Sequence, residues 1–375
     1  MSDLSKAALN LALGGHSNAV LNFGLQDTYD ANDVSGGFIG EHNATRISND
    51  YITGDAAANR LVGGRGNDVL AGGGGGDDLE GGGGFDYASY HTAKSGVTAD
   101  LGAPSNNTGD AAQDSYSSIE GLLGSRFDDT LRGNHRANIL SGGFGNDSLS
   151  GGGGNDTLFG GDGEDTLEGG VGVDKLDGGK GNDIIFGQQS FAIGESTLGM
   201  ETLSGGEGLD QIFAGIRAEQ IDGGSNIGGI DVVSYFSSNA GVTVNLSTGI
   251  GSGGFAAGDR YTGIEGVSGS NFADTLIGSS FADTLEGGAG NDTLRGNGGP
   301  DTFWYDMQTG EFMADFGNDV ILDFGPTDSL VFYTLDTQTY AAHVHTAVIG
   351  GDTVITSDLF IGSITLQNFT GELTF

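Results

Sequence analysis

The chain has 375 residues, of which 75 are glycine and 3 proline, with no cysteine; one residue in five without a side chain excludes an ordinary helical or α/β enzyme, and the near absence of proline excludes collagen. Carboxylates outnumber bases 51 to 13 for a net charge of −38, which repels nucleic acid and anionic membrane and makes cations the expected partners. Aspartate outnumbers glutamate 38 to 13, and short carboxylates beside glycine suit tight turns and hard oxygen ligands.

Residues 1–53 read as an N-terminal cap or attachment segment. A short helix is expected over residues 3–13, capped by Ser2 or Asp3 and stopped at Gly14. Its start, Met1 to Val20, makes a poor signal peptide, because Lys6 is the one Lys or Arg there and the apolar stretch is cut by Asn10 and Gly14–Gly15. Ser17 lies one residue off a lipase-type nucleophile elbow, but no strand, helix and α/β sheet surround it. Asp27, Asp30 and Asp33 cluster without the EF-hand spacing.

From residue 54 a nine-residue period takes over. Gly63 to Ala71 reads GGRGNDVLA and Gly72 to Glu80 reads GGGGGDDLE. The first array, residues 54–89, carries Asp68, Asp77 and Asp86 at position six, after Asn59 in a weaker turn. The main array, residues 124–186, places Asp129, Asn138, Asp147, Asp156, Asp165, Asp174 and Asp183 at position six, and Leu131, Leu140, Leu149, Leu158, Leu167, Leu176 and Ile185 at position eight. Residues 187–230 are degenerate repeats with Glu201, Asp210 and Glu219 at position six, and the longer Glu argues against a tight ion site. A third array, residues 269–304, carries Asp274, Asp283, Asp292 and Asp301.

The consensus GGxGxDxUx couples three demands. Glycines allow positive φ and close approach of backbone carbonyls, and the Asp adds a carboxylate to the same turn. The remaining residues suffice for a short strand with one apolar side chain pointing inward. A single nonapeptide buries nothing, so the turns must stack, with an interior Leu/Ile ladder and two rows of cation sites along the edges. A flexible linker is the alternative, and it has no reason to hold Asp and Leu in register.

Two spacers, residues 90–123 and 231–268, interrupt the arrays. Asp86 to Gly133 matches Asp231 to Gly278 at an offset of 145 residues with 22 identities in 48 pairs, among them Tyr90/Tyr235, Ile119-Glu120-Gly121/Ile264-Glu265-Gly266 and Phe127/Phe272. Each spacer is expected to end one roll and start the next, and a carbohydrate-binding role for the loops at 103–113 and 247–259 stays open. Past Asp301 glycine thins out, and strands are expected at 329–333, 353–356 and 363–369 within a C-terminal region, residues 305–375.

The arrays resemble the repeats-in-toxin (RTX) family of haemolysin-type calcium-binding repeats, and the segment from Asn318 to Phe324 is similar to the C-terminal region of such proteins, serralysin-type proteases included. The resemblance implies an all-β fold: right-handed parallel β-roll (β-solenoid) arrays joined by β spacer modules, with a C-terminal β cap. It implies several Ca²⁺ ions, roughly eight, held between loops two repeats apart, pairing Asp147 with Asp165 and Asp156 with Asp174. The expected metal ligands are Asp68, Asp77, Asp86, Asp129, Asp147, Asp156, Asp165, Asp174, Asp183, Asp210, Asp274, Asp283, Asp292 and Asp301. It also implies export by type I secretion machinery through an uncleaved C-terminal signal.

No catalytic constellation emerges. H-E-x-x-H is absent, and His343 and His345 share one strand face where a metal could bind. The expectation is a secreted, calcium-binding protein of the bacterial surface or surrounding matrix that folds on meeting Ca²⁺ and has a structural or adhesive role, with surface or matrix polysaccharide as a partner. An extracellular hydrolase or polysaccharide-modifying enzyme with its site in the spacers or N-terminus is the alternative. No run of 18 apolar residues occurs to span a membrane.

Overall fold

The computed structural model describes residues 48–188, 199–226, 229–306, 314–333, 343–371 and 373, with the backbone of 27–30 and 38–40. The helix expected over 3–13 and Ser17 lie outside the described residues. Among those described, every regular element is a strand except three single-turn 3₁₀ helices, Pro104–Asn106, Gly109–Ala111 and Gly254–Ala256. The chain divides into two units: residues 1–185 with 204–208, and residues 186–203 with 209–375.

In the first unit the nine-residue period is half a turn of a roll. Strands pair in parallel with residues 18 apart, so Leu122, Leu140, Leu158 and Leu176 stack in one sheet and Leu131, Leu149 and Leu167 in another. Alternate repeats feed alternate sheets. The six array leucines among them are no more than 2% exposed, and burying each contributes roughly 1.5–3 kcal/mol. This thin ladder is the core that the glycine-rich composition permits.

The spacer after residue 89 exchanges one sheet and leaves the other intact. Tyr87–Ser89 pairs directly with Gly121–Leu123, so the first sheet runs on unbroken. Ser115–Ser117 is the last strand of a sheet containing Arg60–Arg65 and Asp78–Gly83, and Thr98–Asp100 opens a new one against Thr130–Arg132. A buried polar knot fixes this junction. The Tyr90 hydroxyl donates to Asp114 Oδ2 at 2.8 Å, meets the Tyr116 hydroxyl at 2.6 Å, and Asn107 Nδ2 donates to Tyr116 at 3.0 Å.

The second unit repeats the device 145 residues on. Val232–Ser234 pairs directly with Gly266–Ser268, Arg260–Thr262 closes against Ala218–Ser225, and Thr243–Asn245 opens against Thr275–Ile277. Tyr235, Asp259 and Tyr261 take the places of Tyr90, Asp114 and Tyr116, with the Tyr235 hydroxyl 2.6 Å from Asp259 Oδ2. The matched tyrosines therefore mark hydrogen-bonded junctions.

Toward the C-terminus aromatic rings replace the leucine ladder. Tyr305 stacks on Phe332 at 5.4 Å and meets Phe316 edge-on at 5.1 Å, and Phe316 packs on Phe360 at 5.4 Å. The sheet then leaves the parallel pattern: Phe360–Leu366 pairs antiparallel with Asp352–Ser357, which pairs antiparallel with Val344–Ile349. This is the C-terminal β cap. The architecture is all-β and built of parallel β-roll segments, as expected.

Candidate functional site

The turn from Gly142 to Asp147 shows how the consensus shapes a site. Gly143 and Gly145 hold φ of +111° and +107°, a region costly to any residue with a Cβ. Gly142 keeps negative φ and is required for another reason, because a Cβ there would overlap Asp147 Oδ2. The sequence reading gave all three consensus glycines one backbone role. The first instead makes room for the carboxylate.

Asp147 is buried and split in its bonding. Its Oδ1 accepts the Asp129 backbone N–H at 2.7 Å, and its own N–H donates to Asp165 Oδ1 at 2.7 Å. The same bond links Asp156 to Asp174 and Asp165 to Asp183, both at 2.8 Å. The structure thus joins residues two repeats apart, including the expected pairs Asp147/Asp165 and Asp156/Asp174.

All fourteen sequence-predicted aspartates are at most 3% exposed. Asp68 accepts from Asp50 N–H, and Asp210 donates its N–H to Asp231, both at 2.8 Å. In the third array Asp274 donates to Asp292 at 2.8 Å and Asp283 to Asp301 at 3.0 Å.

The second carboxylate oxygen is where the chemistry lies. Oδ2 of Asp77, Asp86, Asp147, Asp156, Asp165, Asp231 and Asp292 is buried with no hydrogen-bond partner, a costly state for an ionised group. Burial, ahead of neighbouring carboxylates, pushes Asp147 up to about 9 and Asp77, Asp86, Asp156, Asp165, Asp231 and Asp292 up to about 7. Backbone carbonyls stack beside them, so that a Cβ on Gly151 would come within 2.7 Å of the Gly169 carbonyl oxygen. Among the described residues no group of three or more Asp, Glu or His side chains is placed to hold a metal. A bound ion must combine these carboxylates with turn carbonyls, a hard all-oxygen donor set that suits Ca²⁺.

A second kind of turn is self-sufficient. Where position two is serine, its N–H donates to the position-six carboxylate, as from Ser125 to Asp129 Oδ2 at 2.5 Å and from Ser270 to Asp274 Oδ2 at 2.6 Å. The hydroxyl adds a bond, Ser125 Oγ to Asp129 Oδ1 at 3.0 Å, and Ser279 treats Asp283 the same way. These turns carry Phe127, Phe272 and Phe281 at position four, without the positive φ of the glycine turns. Asp129, Asp274 and Asp283 therefore differ from Asp147, although the sequence reading grouped them.

The carboxylate ladders also recruit residues that reading missed. Asp77 N–H donates to Asp114 Oδ1 at 2.7 Å, Asp86 to Glu120 Oε2 at 3.0 Å, Glu219 to Asp259 Oδ1 at 2.9 Å, and Asp231 to Glu265 Oε2 at 3.2 Å. Asp292 donates to Asp319 Oδ1 at 2.9 Å. The matched Ile-Glu-Gly triplets at 119–121 and 264–266, and the Gly-Asn-Asp run at 317–319, were the available signals.

The degenerate repeats carry a cation of their own. Arg217, 3% exposed, places Nε 3.7 Å from Glu201 Oε1 and donates to Gln188 Oε1, while Glu219 Oε1 accepts Gly215 N–H at 2.7 Å. A buried guanidinium thus stands beside the glutamates of these repeats. At the C-terminus His343 Nδ1 lies 2.8 Å from Asp358 Oδ1 on the exposed surface.

Comparison with known proteins agrees with this geometry. The RTX calcium-binding nonapeptide repeat matches at residues 53–88, 123–158, 133–167, 159–189, 196–227 and 268–303. Among solved structures the chain is similar to the extracellular lipase LipA from Serratia marcescens, at 18% identity and a TM-score of 0.22, over 67% of this chain and 38% of that one. The chain thus spans little more than a third of that lipase. No curated protein matches. The chain therefore carries RTX calcium-binding nonapeptide repeats, in several copies between residues 53 and 303.

Proposed function

We propose that this is a secreted protein that folds when Ca²⁺ fills its glycine turns, and that it serves as a non-catalytic structural or adhesive component of a bacterial surface or matrix. The observation that carries the reading is that Asp147 and Asp165, linked by the bond from the Asp147 N–H to Asp165 Oδ1, each keep a buried Oδ2 without a hydrogen-bond partner. Left ionised and without a cation, two such oxygens oppose folding. A divalent ion between turns removes both the repulsion and the unmet valence, and its binding energy becomes folding energy.

The ions would sit at Asp68, Asp77, Asp86, Asp147, Asp156, Asp165, Asp174, Asp183, Asp210, Asp292 and Asp301, with Asp129, Asp274 and Asp283, whose carboxylates are bonded to Ser125, Ser270 and Ser279, holding them less tightly. Extracellular calcium modules work at roughly 10⁻⁴ to 10⁻³ M. The chain would stay unfolded in a low-calcium cell during type I export and fold outside. Far-UV circular dichroism tests the coupling: a disordered spectrum in chelator and a β spectrum in millimolar Ca²⁺ are expected, and one identical folded spectrum in both conditions rejects it. Fractionation of producing cells into cytosol, surface and medium tests the location.

A further inference from the structure

The second unit carries an outward groove of about 360 Å³ on its uninterrupted parallel sheet. Inward residues Val233, Val267 and Leu285 belong to the buried ladder, at 0–1% exposure. The residues that follow them point the other way. Phe213, Ser234, Ser268 and Glu286 lie side by side in register on four neighbouring strands. Neighbouring strands are about 4.8 Å apart, so the row offers a new side chain at roughly the length of one pyranose unit.

Aromatic rings stand at both ends of this row. Phe213 stacks on Phe186 at 4.9 Å, and Phe236, 65% exposed, rises at the groove wall. On the strand after Glu286, Trp304 stacks on Tyr333 at 5.4 Å. Between these platforms Glu286 is fixed by the Ser268 hydroxyl, which donates to its Oε2 at 2.8 Å. Asp306 and Asp315 line the same groove.

We propose that this row is a binding site for an uncharged glycan chain lying across the strands. A pyranose has an apolar C–H face that stacks on an aromatic ring, and a rim of hydroxyls that pairs with serine and carboxylate groups. The Glu286, Asp306 and Asp315 carboxylates disfavour uronic or sulfated sugars by like-charge repulsion. The inference deepens the matrix reading by naming a ligand class, and it rests on the calcium-loaded fold.

The test uses the full chain in millimolar Ca²⁺, with circular dichroism recorded on the same samples. Isothermal titration is run with cellohexaose, laminarihexaose, mannohexaose and xylohexaose, and with hexagalacturonate as the charged control. Binding of at least one neutral hexasaccharide, weakened about tenfold by Phe236→Ala and about threefold by Glu286→Gln, is expected. Phe236 is exposed, so its truncation leaves the dichroism spectrum unchanged. A folded chain that binds none of the neutral sugars, that binds hexagalacturonate equally, or whose binding survives both substitutions overturns the site while leaving the calcium reading intact. A chain that shows no β structure in calcium overturns both.

Discussion

The backbone N–H of Asp147 donates to Asp165 Oδ1 at 2.7 Å, while the second oxygen of each carboxylate is buried with no hydrogen-bond partner. One oxygen thus builds the roll and the other is reserved. The same division recurs at Asp156, Asp231 and Asp292, whose Oδ1 accepts a backbone N–H while Oδ2 has no hydrogen-bond partner, and under the proposed function it separates structural from ion-binding duty within a single side chain.

Protons should compete with calcium for the reserved oxygens. Burial raises the folded pKa of Asp165 to about 7 and of Asp147 to about 9, well above the ordinary carboxylate range. A carboxyl shifted upward stabilises the metal-free fold below its unfolded pKa and loses that contribution as pH rises through the folded one. In chelator, β structure should therefore grow as pH falls from 9 toward 4. In a calcium titration the order reverses, with tighter binding at pH 8 than at pH 6. Equal calcium affinity at both pH values would count against ionised Asp147 and Asp165 as ligands.

The two kinds of turn should respond differently to substitution. Asp156→Ala removes a carboxylate with a reserved oxygen, so at calcium a hundredfold above Kd it forfeits up to about 2.7 kcal/mol for one lost ion. In chelator its cost is confined to the Asn138 N–H, which donates to Asp156 Oδ1 at 2.7 Å and loses that acceptor, about 1–3 kcal/mol. Ser125→Ala removes a hydroxyl that donates to Asp129, which costs about 1 kcal/mol whether or not calcium is present. Thermal melts of both variants at two calcium concentrations check this, and a calcium-dependent loss for Ser125→Ala would erase the distinction.

Gly142 and Gly350 separate steric from conformational need. Gly142 has negative φ, and a Cβ there would overlap Asp147 Oδ2. Gly142→Ala should displace that carboxylate and weaken calcium binding at the Asp147 turn. Gly350 has φ +67° with nothing within 4 Å of its added Cβ, so Gly350→Ala should cost about 1 kcal/mol of backbone strain and leave calcium binding untouched. Calcium titrations of the pair, beside chemical denaturation, read the two effects apart.

The ladder was legible because it is local. Leu140 and Leu149 recur every nine residues, and the apolar slot is readable even where the glycines fail, as at Ile212 and Ile221. Pairing at 18 residues required stacking, since one nonapeptide gives no sign of which sheet it joins. Asp114 and Glu120 were hidden because the spacer sets them 37 and 34 residues from their partners Asp77 and Asp86, outside any fixed spacing. Tyr90 and Tyr235 stood out as matched positions, but their hydrogen bonds to Asp114 and Asp259 arise only when distant strands meet. Arg217 gave no signal at all: one base in a degenerate stretch reads as surface until the fold buries it against Glu201.

Arg217 should behave as a built-in substitute for an ion. Its guanidinium and Glu201 are both about 1% exposed at the side chain, with Nε 3.7 Å from Oε1. Burial and the charges of Asp259 and Glu201 hold the Glu219 carboxyl well above its ordinary range. Removing one partner of a buried pair costs about 3–5 kcal/mol, because the remaining charge is stranded. Arg217→Met should therefore destabilise the second unit by that order in saturating calcium as well as in its absence, unlike loss of a calcium ligand. Adding Glu201→Gln to Arg217→Met removes the stranded carboxylate, and the double variant should melt above the single one. If raising calcium alone restores Arg217→Met to the parent melting temperature, Glu201 and Glu219 are themselves calcium ligands and the guanidinium only occupies their place.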